Sequence, residues 1–328
     1  MALESAPMAA PATIELDGQY RQLREHCGML DRSERAMLLV SGPDATEYLQ
    51  GQLTNDVEAL DPDQGCYAAL LDRKGHIQAD MRVLRLSSGG LWLDMEPQPA
   101  AGVLTHLRTY SIGREVEVDD VSDRWAITSL LGPLAADVAG FEGLRGEHSQ
   151  RFRETDGLEV LGVATRLGLD LITRPEQAEA LRRRLAEGGA VEVSEQAAEI
   201  LRVEAGLPRF GSEMSAETMP AEAGIVEAAV SFSKGCYIGQ EPVARLHYKG
   251  RPNRTLRGLL LSGPAHSGDV LRLGERQVGV IGTACLSPAL GPIALAVVRR
   301  EAEPGATVEV AEEGATAEVT ELPFRDPE

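Results

Sequence analysis

Helical spacing of apolar residues stops at Arg254. Beyond it the apolar residues fall in short runs, Leu256–Leu261, Val270–Leu273, Val278–Cys285, Ile293–Val298 and Thr307–Val310, divided by Gly, Pro and Ser. Five or six short strands in about 70 residues predict a small β-barrel over 256–328. Upstream, 17–255 mixes both periodicities. Helices are expected over Asp17–Met29, Ala45–Leu53 and Pro99–Tyr110, and strands at Ala36–Val40 and Leu91–Met95, with a hairpin Cys66–Leu71/Ile77–Leu86 turning at Asp72–Gly75. A comparable succession follows a strand at Glu115–Val118, from strand Trp125–Leu131 through strands Leu158–Ala164 and Leu169–Ile172, helix Pro175–Glu187 and strand Val191–Val193 to helix Ser194–Glu204. Hairpins between mixed elements favour two ferredoxin-like α+β lobes, split near 120, over one parallel doubly wound sheet. The fold class is therefore α+β with a terminal barrel. Residues 1–16, Ala/Pro-rich with Glu4 and no basic stretch, read as a flexible tail and not a signal peptide.

The charge narrows the function classes. Against 51 Asp plus Glu stand 32 Lys plus Arg, a formal net charge of −19. A chain this acidic is repelled as a whole by nucleic acid and anionic membranes, so neither is an expected partner. Apolar runs such as Ile293–Val298 are far too short to span a bilayer. The four cysteines, Cys27, Cys66, Cys236 and Cys285, lie far apart with no CxxC pair, which points to a reducing cytoplasm and against a disulfide scaffold or zinc site. Only three lysines occur, Lys74, Lys234 and Lys249, and each precedes a glycine. Where Arg has replaced Lys so widely, the survivors mark positions at which a compact ammonium differs from a planar fork.

The sharpest segment is Lys234-Gly-Cys-Tyr-Ile-Gly-Gln-Glu241, continuing to Arg257. Six basic residues and one acid give it a local charge of +5, leaving −24 on the other 304 residues. Gly235 and Gly239 bracket Cys236 and Tyr237, a backbone able to approach a ligand closely. Beside Lys234 the Cys236 thiol is expected to ionise readily. A second constellation is Leu201-Arg-Val-Glu204-Ala-Gly206, in which Glu204 sits on the apolar side of a helix. A carboxylate there needs either an internal cation, such as Arg202 or Arg209, or a ligand with paired N–H groups of the kind on a pterin edge. A third is Thr54-Asn55-Asp56, followed by Tyr67, Lys74 and Asp80. The first triplet also fits a helix C-terminal turn, and Asp80 a solvent-facing strand residue.

Together LQGQLTNDV, YAALLDRKGHIQADMRV, RVEAGLPRFGSEM, MPAEAG and KGCYIGQEPVARLHYKG resemble the folate-binding YgfZ family, itself similar to the aminomethyltransferase T-protein of the glycine cleavage system. The resemblance implies three lobes around a central hole that receives tetrahydrofolate. It also implies support of iron–sulfur enzymes, with client or assembly proteins as partners. Glu204 matches the carboxylate on the pterin edge, and Asp80 an acidic residue near folate's reactive nitrogen. Cys236 matches the YgfZ thiol. The resemblance thus places catalysis at Cys236 and Asp80, and folate binding at Glu204, Asn55, Lys234, Tyr237, Gln240, Arg245 and Arg254. T-proteins tend to show Asp-Asp where this chain has Ala79-Asp80, which argues against aminomethyl transfer; a true aminomethyltransferase acting on a lipoyl carrier is the alternative. A cysteine nucleophile with His247 as base lacks a recognisable signature, and a tRNA-binding module lacks an aromatic stacking array.

Overall fold

The computed structural model describes residues 15–144, 146–310 and 314–324. The chain runs α1 (Leu16–Glu25), β1 (Gly28–Asp31), β2 (Ala36–Ser41), α2 (Ala45–Gln52), β3 (Gly65–Leu71), β4 (Ile77–Arg85), β5 (Leu91–Met95), α3 (Pro97–Tyr110) and β6 (Glu117–Asp120). It continues β7 (Ala126–Leu131), α4 (Ala135–Ala139), β8 (Gln150–Thr155), β9 (Leu158–Thr165), β10 (Gly168–Thr173), α5 (Pro175–Glu187), β11 (Val191–Glu192) and α6 (Glu195–Glu204). After α7 (Val226–Ala229) and α8 (Gln240–Lys249) come β12 (Arg254–Leu261), β13 (Val270–Leu273), β14 (Arg276–Ser287), β15 (Gly291–Arg299), β16 (Thr307–Val310) and β17 (Ala315–Thr320).

Three sheets result. The first is five-stranded and antiparallel, in the order β3-β4-β5-β2-β6, and the second is six-stranded, β11-β1-β7-β10-β9-β8. The last six strands close into a barrel, β12-β15-β14-β13-β16-β17, so the α+β class and the terminal barrel both hold. Closure leaves the barrel no free edge for a second chain to pair with. Most of the expected tail, residues 1–14, and the last four residues of the barrel segment lie outside the described residues.

One expectation needs correcting here, and one strand had not been expected. The helix expected over Asp17–Met29 ends at Glu25, because Gly28 is pressed between neighbours. A Cβ at Gly28 would lie 2.5 Å from the Leu23 side chain and 2.8 Å from that of Val193. The chain turns there, and β1 crosses into the second sheet between β7 and β11. The strand β8 gave no sequence signal, since Arg151–Glu154 of this edge strand are all exposed and carry no apolar alternation.

Each sheet is covered on one face by helices and on the other by its counterpart. On the first sheet α2 supplies Ala45, Tyr48 and Leu49, and α3 supplies Ala100, Val103 and Leu107. On the second, α4 contributes Ala135 and α5 contributes Leu181 and Leu185. Between the sheets, Met37, Leu84 and Trp92 meet Ile127, Val163 and Ile172. Full burial of a side chain such as these is worth about 1.5–3 kcal/mol. β5 and β7 are buried on both faces, as a strand between helices and a second sheet must be.

Candidate active site

Strand alternation decides which side chains of β4 meet the second sheet. Ala79, Met81 and Val83 pack under the helices, so Asp80, Arg82 and Leu84 point the other way. Where the apolar contact between the sheets gives way, a cavity of about 620 Å³ opens. Its walls come from β4, from β10, from the 205–210 segment after α6, and from the start of β12 in the barrel.

Asp80 lines this cavity. The Tyr67 hydroxyl, reaching diagonally from β3, donates to Asp80 Oδ2 at 2.8 Å. Asp80 Oδ1 is buried and has no hydrogen-bond partner among the described residues. Burial raises the pKa of this carboxyl above the ordinary value, with the Tyr67 hydrogen bond and the charge of Arg35 pulling the other way. A carboxylate with one oxygen fixed and the other bare is poised to accept a hydrogen bond or a proton from something placed in the cavity.

Beside it an ionic network joins the two sheets. Arg82 Nε donates to Asp94 Oδ2 at 2.5 Å, and its Nη1 lies 2.6 Å from Asp170 Oδ2 on β10. Arg35 Nε donates to Asp94 Oδ1 at 2.7 Å and Arg35 Nη1 to Glu96 at 2.9 Å, while Ser129 Oγ donates to Asp170 Oδ1 at 2.5 Å. Burial opposes ionisation of Asp94, yet Arg35 and Arg82 hold its pKa below the usual carboxylate range. Seven arginines line the cavity, and six of them have a carboxylate partner; Arg166, in the turn from β9 to β10, has none among the described residues.

Of the residues that the resemblance assigns to catalysis or folate binding, the structure brings only Asp80 to the cavity, beside Tyr67; Arg202, Arg209 and Arg257 line it as well. Glu204 is sealed: it accepts from Tyr20 Oη of α1 at 2.9 Å and from Ser287 Oγ of β14, and it does not line the cavity. Its partners are thus internal, though neither Arg202 nor Arg209 is among them. Lys234 turns inward, donating to the carbonyls of Gln50, Leu53 and Asn55 at 2.6, 2.7 and 2.8 Å. It caps the C-terminal end of α2, where a cation meets unpaired carbonyls and the negative end of the helix dipole. The ammonium expected beside Cys236 is therefore turned away, and the thiol lies exposed.

Asn55 donates to the carbonyls of Tyr67 and Ala228 and accepts from the Asp56 N–H, which fastens the α2–β3 connection. Tyr237 is a core residue packed with Leu71, Ile77 and Val243; burial pushes its hydroxyl up to about 12, and that hydroxyl has no partner among the described residues. Gln240 opens α8 and Arg245 is exposed on it; neither lines the cavity. Arg254 pairs with Glu222 at 2.9 Å and borders a separate cavity of about 490 Å³ against β14. The +5 segment therefore brings only one of its charges, Arg257, to the Asp80 cavity, where Glu321 pairs with it at 2.9 Å. Its glycine works differently: Gly239 has φ of 80°, and a Cβ there would lie 2.4 Å from the Asp72 carbonyl, so the motif packs under the hairpin that carries Asp80. Arg82, Asp170 and His148, to none of which the resemblance assigns a role, also line the cavity; only Arg82 has a sequence signal, two residues after Asp80 on the same strand face.

The fold agrees with what the chain resembles. Residues 12–234 match the family described as the GCVT N-terminal domain, and residues 254–326 the glycine cleavage T-protein C-terminal barrel domain. An aminomethyltransferase of Rubrobacter xylanophilus is 32% identical over 323 residues, covering 94% of this chain and 86% of the relative. That of Thermus thermophilus is 31% identical, covering 93% and 89%. The crystal structure of glycine cleavage system aminomethyltransferase T from Bartonella henselae superposes with a TM-score of 0.83 at 26% identity, covering 95% of this chain and 90% of that one.

Proposed function

The chain belongs to the glycine cleavage T-protein family, and on that footing we propose that the Asp80 cavity binds tetrahydrofolate for one-carbon, aminomethyl-type transfer. One observation carries the reading: a buried carboxylate on the cavity wall, with Oδ2 held by Tyr67 and Oδ1 bare. Such an orphaned acceptor fits a ligand that brings an N–H or a protonated nitrogen. Bound tetrahydrofolate would supply nitrogen atoms able to carry a one-carbon unit. The protein's part is to hold Asp80 rigidly through Tyr67, to keep bulk water from Oδ1, and to let that oxygen take or share a proton. Because six of the seven cavity arginines are neutralised by neighbours, Arg166 is the cation left for the ligand's carboxylates. The sequence Ala79-Asp80 retains the second of the two acids that T-proteins tend to show, and it is this acid that reaches the cavity.

Titration calorimetry with tetrahydrofolate tests the reading. The unmodified chain should bind, and Asp80→Asn should weaken binding at least about tenfold, roughly 1.4 kcal/mol. A chain that does not bind tetrahydrofolate would sink the assignment. Methylene transfer from an aminomethyl-lipoyl carrier then separates turnover from binding alone.

A second reading, support of iron–sulfur enzymes in the manner of YgfZ, draws on Cys236, the exposed thiol in the KGCYIGQE motif. Rescue of a strain lacking its own such factor by the chain, but not by Cys236→Ala, would favour it. Equal rescue by both would remove the thiol from the account.

A further inference from the structure

His148 is held in an unusual conformation at the cavity wall. Its φ is 67°, the left-handed region that a residue with a Cβ enters at a cost of about 1 kcal/mol or more. The turn is pinned from both sides: His148 N donates to Ala164 O at 2.8 Å, and Gln150 N to Asp63 O at 2.8 Å in the loop leading to the first sheet. The ring is buried beside Tyr67, with centroids 6.5 Å apart at 30°, and so stands next to the residue that holds Asp80. Its Nε2 lies 3.7 Å from Glu147 Oε1, and Nδ1 is buried with no partner among the described residues. The charged groups facing it are Arg82, Asp94 and Asp170 from the two sheets, with Glu147 on its own segment. Burial, reinforced by Arg82, lowers its pKa to about 4, so the ring is neutral at ordinary pH.

A turn that only had to be closed would be served by Gly or Asn, which enter this region readily. A histidine there adds an unsatisfied ring nitrogen and a desolvated imidazole, costs that a purely structural residue has no reason to carry. We infer that His148 is a second ligand-contacting residue of the Asp80 cavity, its neutral imidazole hydrogen-bonding the bound molecule from the segment that enters β8. The arginines around it can only donate and the carboxylates only accept, whereas a neutral imidazole does both. That suits a nitrogen heterocycle whose edge presents donors beside acceptors. The ligand would then touch Asp80 of the first sheet and His148 of the second, bridging them. This inference rests on the folate reading above.

The test uses the full chain and tetrahydrofolate, with Asp80→Asn as reference. His148→Asn keeps a residue suited to φ of 67° and removes the ring, and His148→Phe keeps a ring and removes both nitrogens. Each should weaken binding about tenfold or more in calorimetry, while His148→Asn melts no lower than the unmodified chain. The ¹⁵N signal of His148 Nδ1, assigned by its loss in His148→Asn, should shift when tetrahydrofolate saturates the protein. If Asp80→Asn loses affinity while both His148 variants bind normally, or if the ¹⁵N signal stays in place at saturation, the inference is overturned and the folate reading stands. If the unmodified chain does not bind, both fall. Should His148→Phe fold poorly, His148→Asn and the ¹⁵N shift decide.

Discussion

A carboxylate that is buried for function destabilises the fold that holds it. Asp80 has its pKa raised by burial, so the folded protein binds a proton there more tightly than the unfolded chain does. By linkage, stability falls as pH rises through the carboxylate range, and the deficit persists at neutral pH. Asp80→Asn removes the charge, while the amide oxygen still accepts from Tyr67. The variant should therefore gain stability relative to the unmodified chain between pH 3 and pH 7. Melting curves at the two pH values check this; an Asp80→Asn variant that loses stability relative to the unmodified chain over this range would show that the carboxylate is a structural anchor. Tighter folding with weaker ligand binding would be the mark of a site residue. Part of this was legible in the sequence. Asp80 breaks the apolar pattern of its strand, and Tyr67 stands one hairpin away. His148 was not legible, because neither its left-handed backbone nor its orphaned nitrogen has a sequence signature.

At the scale of elements, the KGCYIGQE motif changes meaning. Read along the chain, it is a cluster of charge, thiol and glycine suited to a ligand. In the fold, Lys234 caps α2, Tyr237 and Val243 fill the core under the β3–β4 hairpin, and Gly239 admits the hairpin turn. Local charge in sequence says nothing about which way an ammonium points, and the three carbonyls that take Lys234 lie some 180 residues upstream. Gly239→Ala tests the supporting role. The new Cβ would meet the Asp72 carbonyl at 2.4 Å and would also strain a φ of 80°. We expect a loss of about 2 kcal/mol or more in urea denaturation, and weaker tetrahydrofolate binding in the fraction still folded, because Asp80 rides on the displaced hairpin. Unchanged stability would mean that the hairpin yields freely and that the motif does not brace it.

Over the whole molecule, the uneven charge that looked like a binding signal divides: Arg254 and Arg257 pair with Glu222 and Glu321 and Lys234 caps α2, while Arg245, Lys249 and Arg251 are exposed. The cavity between the sheets is rich in arginine, yet it is close to neutral, since among the described residues carboxylates on neighbouring elements answer all but Arg166. Pairings of this kind join segments far apart in sequence, and no spacing rule anticipates them. The α+β class and the barrel could be read because periodicity is local; the assembly around the cavity could not. Glu204 shows the difference most sharply. Its LRVEAG setting resembles a ligand-binding motif, whereas its carboxylate ties α1, α6 and the barrel together through Tyr20 and Ser287. An amide at this position can satisfy the two hydroxyls only if one of them turns, and a buried donor left unpaired costs about 1–3 kcal/mol. Glu204→Gln should accordingly lower global stability by that amount in chemical denaturation, with tetrahydrofolate affinity within about twofold of the unmodified chain. The opposite pattern, full stability with a tenfold loss of affinity, would return Glu204 to the ligand and require its carboxylate to leave Tyr20 and Ser287 when the cavity fills.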